Sequence, residues 1–368
     1  MTINITMSSL PKSITIFVYG GCNLDCIYCY AGKNLKDKAI NLEFAKLGIE
    51  TFFKQNNAYQ LRLFGVGEPT LAFDHMVELI KFSRYVVGTS LQVELQTNGV
   101  FHSAITQWIA DNIDILWISC DGPPDINDRY RRTKDGHPTS EVVVDNITQL
   151  AFCKKCQLGV RTTITQQTSY RQREIVEYFH SLGVKHVCAD PVFLPVGYKK
   201  TDTYFSKELL IEDPIAYAED FLRARERANE LGMTYDSILT VNAGVDNCYA
   251  CRGCYTNPHL TVDGFVTCCD MAFSGDTSLK EMIWGKYDPA THKIINYEQN
   301  VNKAFNRRVE NLPSCKNCEW KSDCSGGCFG EALNEGKDVF GIKRFSCQAT
   351  KYLMPRLDRT LVSTLGHP

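Results

Sequence analysis

The sequence predicts an α/β fold, in which a parallel sheet covered by helices is followed by a small cysteine-rich region. Six strand-like segments alternate with helical patterns between residue 13 and about residue 194. Such βα repeats build either an open barrel or a doubly wound sheet. After about residue 240 the periodicity fades, and the chain carries ten of its 17 cysteines there.

The predicted strands are short runs of apolar and β-branched residues. In chain order they are Ser13–Gly20, Gln60–Val66, Gln92–Thr97, Ile115–Cys120, Leu158–Thr165 and Lys185–Val192. Amphipathic helical patterns follow several of them, at Leu42–Gln55, Asp74–Tyr85 and Arg171–Leu182. A further helix rich in Ala, Arg and Glu is predicted at Ile215–Leu231. The connection after the fourth strand, at about Pro123–Ser140, is long and charged.

These patterns divide the chain into five parts. We expect an N-terminal extension (1–12), a βα core (13–200), a helical bridge (201–240), a cysteine-rich domain (241–350) and a C-terminal helix with a tail (351–368). The cysteine-rich part has little periodicity from which to build an apolar core, so we expect it to need metal in order to fold.

Composition excludes several classes of function. The 40 Lys+Arg nearly balance the 42 Asp+Glu, so no basic field points to nucleic acid. No apolar run approaches the ~20 residues of a membrane span, and the N-terminus does not resemble a secretory signal. We therefore expect a cytoplasmic protein that binds neither nucleic acid nor membranes. In that reducing compartment the cysteines are expected to be metal ligands or core thiols, not disulfides.

Three cysteines directly follow the first strand. Cys22, Cys26 and Cys29 have the spacing C-x3-C-x2-C. Three thiolates suit a [4Fe–4S] cluster that leaves one iron without a protein ligand. A structural zinc site is the alternative, but it takes four ligands, and no fourth lies nearby in the sequence.

This motif, with the aromatic Tyr28 before its last cysteine, resembles the signature of the radical S-adenosylmethionine (radical SAM) superfamily. Further matches stand at the next three strand ends: Gly65-Val66-Gly67-Glu68-Pro69, which departs from the family's GGEP at Val66, Gln96-Thr97-Asn98-Gly99, and Ser119-Cys120-Asp121-Gly122-Pro123. The resemblance covers roughly residues 13–195 and implies a partial (β/α)6 TIM-like barrel. It also implies that the open iron binds SAM, whose reductive cleavage yields a 5′-deoxyadenosyl radical that abstracts a substrate hydrogen.

The resemblance implies a set of residues that bind SAM: Tyr28, Tyr30, Gly67, Glu68, Pro69, Asn98, Ser119, Asp121 and Arg131. Structural alternatives stay open for some of them. Glu68 could be a surface carboxylate, and Tyr30 could serve packing alone. Arg131 belongs to a basic group with Arg129 and Arg132, at least two of which are expected on a solvated face.

The C-terminal cysteines resemble the SPASM extension of radical SAM enzymes, which holds two auxiliary [4Fe–4S] clusters. The pattern is Cys254-x9-Gly264-x4-Cys269, then C-x2-C-x5-C-x3-C from Cys315 to Cys328, then Cys347. The resemblance assigns Cys248, Cys254, Cys269 and Cys328 to auxiliary cluster I. It assigns Cys315, Cys318, Cys324 and Cys347 to auxiliary cluster II. Cys251 in place of Cys248, Cys268 in place of Cys269, and zinc in place of iron–sulfur remain alternatives.

The other cysteines and one carboxylate complete the list of candidates. Cys120, Cys153, Cys156 and Cys188 lie on strand or helix patterns and are interpreted as core thiols. Asp270 follows Cys269, where the sulfatase-maturing branch of SPASM enzymes has an Asp that takes a proton from substrate. We therefore interpret Asp270 as a candidate general base, with a turn carboxylate as the structural alternative.

The resemblance implies an enzyme that oxidises or crosslinks a side chain of a peptide or protein, with three [4Fe–4S] clusters and SAM as cofactors. The alternatives are a sulfatase-maturing enzyme, which makes formylglycine from Cys or Ser, a small-molecule dehydrogenase, and a non-catalytic iron–sulfur or zinc scaffold. A flavodoxin or ferredoxin-type protein is the implied electron donor. Only 12 residues precede the first strand, so a separate protein or another surface of this protein is expected to recognise any leader peptide.

Overall fold

The computed structural model describes residues 13–31, 36–56, 58–197, 205–245, 247–254, 257–336 and 338–357. The expected N-terminal extension (1–12) and the tail from residue 358 onward lie outside the described residues. The described strands form one 11-stranded sheet in the order β11-β10-β9-β8-β1-β2-β3-β4-β5-β6-β7. They are β1 Ser13–Phe17, β2 Gln60–Phe64, β3 Gln92–Thr97, β4 Ile115–Ser119, β5 Gln157–Ile164, β6 His186–Pro191, β7 Thr234–Asp236, β8 His259–Leu260, β9 Phe265–Thr267, β10 Ile283–Asp288 and β11 Lys293–Asn296.

The strands β1 to β7 pair in parallel, each with the next. All five residues of β1 are buried, as are all five of β2, because a parallel sheet of this kind is covered on both faces. The predicted α/β fold with a partial barrel is confirmed, and the six predicted strands lie within a few residues of β1 to β6.

The helices connect the parallel strands or follow them. They are α1 Leu42–Asn56, α2 Phe73–Val87, α3 Thr106–Asn112, α4 Pro124–Tyr130, α5 Ser140–Leu150, α6 Gln172–Ser181, α7 Pro214–Glu230, α8 Glu298–Asn306, α9 Lys321–Cys324, α10 Phe329–Gly336 and α11 Arg344–Leu353. The long charged connection after β4 contains the short helix α4. The helix closest to the C-terminus, α11, begins before residue 351, which is earlier than the sequence predicts.

Local chemistry explains the start of the bridging helix α7. The Asp213 carboxylate accepts hydrogen bonds from the backbone N–H groups of Ile215 (2.8 Å) and Ala216 (3.1 Å). Pro214 occupies the first turn, where a backbone N–H is not needed. Gly232, with φ +67°, follows the helix and reverses the chain toward β7.

The cysteine-rich part continues the sheet on the far side of β1. The strand β8 pairs in parallel with β1, where Thr15 faces His259 and Ile16 faces Leu260. The strands β9, β10 and β11 extend the sheet in antiparallel pairs. The chain around Cys254 and Cys269 is thereby brought to the edge where β1 ends. No helix of the described residues has both the length and the apolar character needed to cross a membrane.

Candidate active site

A cavity of about 290 Å³ lies at the carboxyl ends of the parallel strands. One wall is formed by the loops after β1, β2, β3 and β4, and another by the cysteine-rich part. Residues of β2, β5 and β6 complete the lining. The sequence-predicted site residues on its walls are Cys22, Cys26, Tyr28, Cys29, Tyr30, Gly67, Glu68, Asn98, Ser119, Arg131, Cys269, Asp270 and Cys328. Pro69 and Asp121 lie behind the wall. Parallel α/β sheets bind ligands at this edge.

The loop that carries Cys22, Cys26 and Cys29 is held by backbone hydrogen bonds to the connection after β4. The N–H of Asp25 donates to the carbonyl of Arg132 (2.8 Å), and the N–H of Ile27 donates to that of Tyr130 (3.1 Å). Burial raises the pKa of the Cys26 thiol to about 12, against the opposing charge of Arg131. This thiol therefore stays protonated unless a cation replaces its proton.

Glu68 is fully buried and not a surface carboxylate. Its Oε1 accepts hydrogen bonds from the Thr70 hydroxyl (2.7 Å) and the Thr97 hydroxyl (2.6 Å). Its Oε2 accepts one from the backbone N–H of Asn98 (2.7 Å). Burial raises the pKa of Glu68, and these hydrogen bonds oppose the rise. The loops after β2 and β3 thus hold one carboxylate at the cavity wall, and Oε2 keeps capacity for another donor.

Close packing explains why the departure from GGEP at Val66 is tolerated. A Cβ on Gly67 would overlap the carbonyl oxygen of Gly21, next to Cys22. The backbone N–H of Glu68 donates to that same oxygen at 2.7 Å. The loop therefore requires glycine at position 67, and this chain keeps the family glycine there. The departure from the family motif is at the preceding position, Val66.

A buried network supports the cluster loop from behind. The Tyr28 hydroxyl donates to Oδ2 of Asp121 (2.5 Å) and accepts from Nη1 of Arg131 (2.9 Å). The Asp121 Oδ1 accepts from the backbone N–H of Thr163 (3.0 Å). Nε of Arg131 is buried without a hydrogen-bond partner among the described residues. Arg129 and Arg132 have more exposed hydrogen bonds or ion pairs, so Arg131 is the arginine of this group that faces the cavity.

A second group of cysteines lies on the wall formed by the cysteine-rich part. Cys251, Cys268, Cys269 and Cys328 line the cavity, and Cys254 is buried beside them. Cys251 hydrogen-bonds with Cys254, and this bond lowers the pKa of Cys251 below its ordinary value. Cys328 lies close enough to Cys251 and Cys269 to interact with both electrostatically. Cys248 lies near Tyr249 and Arg308, and Tyr249 is also close to Cys254.

A third group contains the remaining cysteines of the predicted SPASM pattern. Burial raises the pKa of Cys324, and charges on three other cysteines, Cys315, Cys347 and Cys318, would raise it further. These four thiols therefore lie near one another, and three of them line a small cavity of about 30 Å³. Within the described part of the chain, no three His, Cys, Asp or Glu side chains converge on a single metal ion. Cluster ligands bind different irons, so they need not converge in that way.

Asp270 lies at the cavity between a histidine and an arginine. Its Oδ1 is 2.8 Å from Nε2 of His259, and its Oδ2 is 3.9 Å from Nη2 of Arg62. Arg62 is buried and pairs with Glu94 (3.3 Å). Burial would raise the pKa of Asp270, but Arg62 and His259 outweigh burial and hold it well below its ordinary value. Sequence reasoning did not identify Arg62 or His259.

The four cysteines interpreted as core thiols lie away from the three groups. Cys120, Cys156 and Cys188 are buried. Cys153 and Cys156 lie in the loop that leads into β5, at the end of the sheet opposite to the cavity. The C-x2-C spacing of this pair therefore has no part in the candidate site.

Comparison with known proteins agrees with this geometry. Residues 16–151 match the family model described as the Radical SAM superfamily. An uncharacterized protein of Methanocaldococcus jannaschii is 30% identical over 186 residues. These residues are 49% of this chain and 62% of that protein, so this chain spans about three fifths of the length of that protein. A cysteine-type anaerobic sulfatase-maturating enzyme of Clostridium novyi is 25% identical over 86% of this chain and 88% of its own. The radical SAM cyclopropyl synthase TigE of Paramaledivibacter caminithermalis is 22% identical over 94% and 74%.

Two solved structures share the fold. The structure of anSMEcpe with bound AdoMet and Kp18Cys peptide has a TM-score of 0.73 at 20% identity, covering 94% of this chain and 98% of that one. Streptococcus suis SuiB bound to its precursor peptide SuiA has a TM-score of 0.64 at 16% identity, covering 92% and 76%. At these identities the likeness establishes the architecture alone.

Proposed function

We propose, from the match of residues 16–151 to the Radical SAM superfamily model, that the protein modifies a side chain of a peptide or protein by radical chemistry. The observation that carries the proposal is one cavity with two chemically different walls. The motif Cys22, Cys26, Cys29 lies on one wall, and Asp270 lies on the other among further cysteines. A substrate side chain between them meets a radical source and a proton acceptor.

The residues of the first wall fit a [4Fe–4S] cluster with SAM. When bound there, SAM supplies a 5′-deoxyadenosyl radical upon one-electron reduction. Cys22, Cys26 and Cys29 would hold the cluster through three thiolates. Oε2 of Glu68 would accept a hydrogen bond from the SAM amino group, and the unpartnered Nε–H of Arg131 would donate to its carboxylate. Asn98, Ser119, Tyr28 and Tyr30 complete this wall.

On the second wall, Asp270 would take the proton that the substrate loses after hydrogen abstraction. Among the described residues, Oδ2 accepts no hydrogen bond, and Nη2 of its ion-pair partner Arg62 is 3.9 Å away. This oxygen can therefore receive a proton from a substrate in the cavity. Arg62 and His259 would fix the orientation of the carboxylate. The apolar side chains Phe64 and Phe193 line the same space and would exclude water from the reacting atoms.

The two C-terminal groups of cysteines would hold auxiliary [4Fe–4S] clusters, which makes three clusters per chain. Cys254, Cys269 and Cys328 are three ligands of cluster I, and the fourth is either Cys248 or Cys251. The family resemblance favours Cys248, whereas the hydrogen bond to Cys254 favours Cys251. Cys315, Cys318, Cys324 and Cys347 are the ligands of cluster II. A flavodoxin or ferredoxin-type protein would supply electrons, and a separate protein would recognise any leader peptide.

A second candidate is the anaerobic maturation of sulfatases. Two observations favour it: the similarity to the Clostridium novyi enzyme over most of both chains, and the position of Asp270 directly after Cys269. The two candidates share the cavity and differ in substrate. Two sets of deuterated peptides distinguish the two candidate functions: peptides with a sulfatase-type Cys or Ser, and peptides encoded near this gene. The measurement is deuterium transfer from each set into 5′-deoxyadenosine.

The proposal is tested by anaerobic reconstitution. Three clusters predict about 12 iron and about 12 sulfide per chain. The variant with Cys22, Cys26 and Cys29 all changed to Ala should lose about a third of the iron and form no 5′-deoxyadenosine with dithionite. A Cys153→Ala, Cys156→Ala variant serves as the control and should keep both. Stoichiometric zinc with about four iron, or SAM cleavage by the triple variant, would overturn the assignment.

A further inference from the structure

Arg307, directly after α8, lies between the two C-terminal groups of cysteines. Its side chain is buried. Its Nη2 donates to the carbonyl of Gly326 (3.4 Å), which is two residues after Cys324. Its guanidinium lies over the ring of Phe329 (5.2 Å), which is the residue after Cys328. The same cation therefore contacts the chain beside one member of each group.

The contacts of Arg307 are electrically neutral. Besides Gly326 and Phe329, they are the carbonyl oxygens of Val339 (2.7 Å) and Gly341 (3.1 Å), both bonded to Nη1. Among the described residues, no carboxylate lies within 4.0 Å of this guanidinium. A guanidinium stays charged at every ordinary pH, so this is a buried charge that lacks a counter-charge from the protein.

Arg131, the other buried arginine without an ion pair among the described residues, faces the cavity where a SAM carboxylate would bind. Three further buried cations have carboxylate partners. Arg62 pairs with Glu94, Arg225 with Asp236, and Lys343 with Glu331. Leaving one buried charge unpaired strongly lowers the stability of a folded protein. The missing counter-charge must come from something that binds close to Arg307.

Arg307 lies near thiols of both groups. It is close enough to Cys315 to interact with it electrostatically. It is also close enough to Cys251 and Cys254 to interact with both. Since Cys315 belongs to one group and Cys254 to the other, this single cation acts on both.

We propose that Arg307 is the shared counter-ion of the two auxiliary iron–sulfur clusters and that it raises the reduction potentials of both. The inference rests on the proposed function, because it takes both groups of cysteines to hold clusters. A cluster with four thiolate ligands is anionic and gains one more negative charge on reduction. A fixed cation nearby therefore stabilises the reduced form more than the oxidised form.

The experiment compares Arg307→Gln with Arg307→Lys in the reconstituted protein. Both are made in the triple Cys22, Cys26, Cys29→Ala background, so that the remaining iron, about eight per chain, reports the auxiliary clusters. EPR-monitored redox titration should show that Arg307→Gln lowers both auxiliary potentials, whereas Arg307→Lys keeps them near the parent values. Lys303→Gln removes an exposed charge from α8 and should change neither.

The possible outcomes separate this inference from the proposed function. Unchanged potentials in Arg307→Gln with full iron content overturn the role of Arg307 and leave the clusters in place. A parent protein without auxiliary iron overturns the proposed clusters themselves. If Arg307→Gln fails to retain iron while Arg307→Lys retains it, the positive charge is required and the inference stands. If both variants lose iron equally, the hydrogen bonds to the carbonyls are what matters, and the inference fails.

Discussion

His259 orients the Asp270 carboxylate at the cavity. Nδ1 of His259 lies 2.8 Å from the backbone carbonyl of Asn257, and this contact helps to hold the ring in place. Nε2 lies 2.8 Å from Oδ1 of Asp270. Oδ1 is occupied by this contact, and Oδ2 remains for the substrate.

Asp270→Asn keeps the shape of the side chain and removes the basic oxygen. We expect SAM cleavage and hydrogen abstraction to persist while product formation falls by about 10²-fold or more, the usual scale for the loss of a general base. The measurement is deuterium transfer into 5′-deoxyadenosine alongside product mass. Asp276→Asn is the matched control, because Asp276 is an exposed carboxylate paired with Lys36. Full product formation by Asp270→Asn would make Asp270 a turn residue.

Two single substitutions identify the fourth ligand of auxiliary cluster I. From its hydrogen bond to Cys254 and its place on the cavity wall, we expect Cys251→Ala to lose about four of about 12 iron. Cys248→Ala should then keep its iron, because Cys251, Cys254, Cys269 and Cys328 already supply the four thiolates of a complete cluster. Iron analysis with EPR of the reduced protein measures both. The reverse result would show that the assignment implied by the family resemblance, and not the hydrogen bond to Cys254, identifies the ligand.

At the scale of elements, the sequence predicts the parallel half of the sheet well and the other half poorly. The runs that became β1 to β6 are five to eight residues long and apolar, and each is bounded by polar or turn residues. The strand β8 has only two residues, His259 and Leu260, and pairs with β1 from the opposite end of the chain. No local pattern encodes such a pairing. Arg62 was missed for the same reason, because its partner Asp270 is distant in sequence. His259 lies only 11 residues before Asp270, but no motif in the sequence links the two.

The contact between the loops after β1 and β2 gives a prediction at this scale. In Gly67→Ala the new Cβ overlaps the carbonyl oxygen of Gly21, so the loop that carries Cys22 must move. We expect this variant to lose about a third of its iron and its SAM cleavage. Val66→Gly restores the family motif without a new atom and should keep both. The measurements are iron content and the yield of 5′-deoxyadenosine. If Gly67→Ala keeps both at the parent level, the loops after β1 and β2 adjust independently of each other.

At the scale of the whole molecule, the continuous sheet joins parts with different sources of stability. One extensive apolar core includes Ile14 and Leu61 of the parallel strands and extends into the cysteine-rich part through Leu260 and Phe329. The chain from 309 to 315 has a separate small cluster with three buried members, Val309, Leu312 and Cys315. The second cluster is too small to order the surrounding turns by burial alone.

Removal of the clusters should therefore loosen the molecule unevenly. We expect hydrogen exchange of the protein stripped of iron by a chelator to rise strongly in peptides covering 247–254 and 313–328, where thiols would otherwise bind metal. Peptides covering β3, β4 and β5 should keep their protection, because their stability comes from apolar burial on both faces of the sheet. The triple Cys22, Cys26, Cys29→Ala variant, with auxiliary iron retained, is the control and should keep the C-terminal protection. A uniform rise over the whole chain would mean that the sheet transmits the loss of metal to its core and that the molecule unfolds as one cooperative unit.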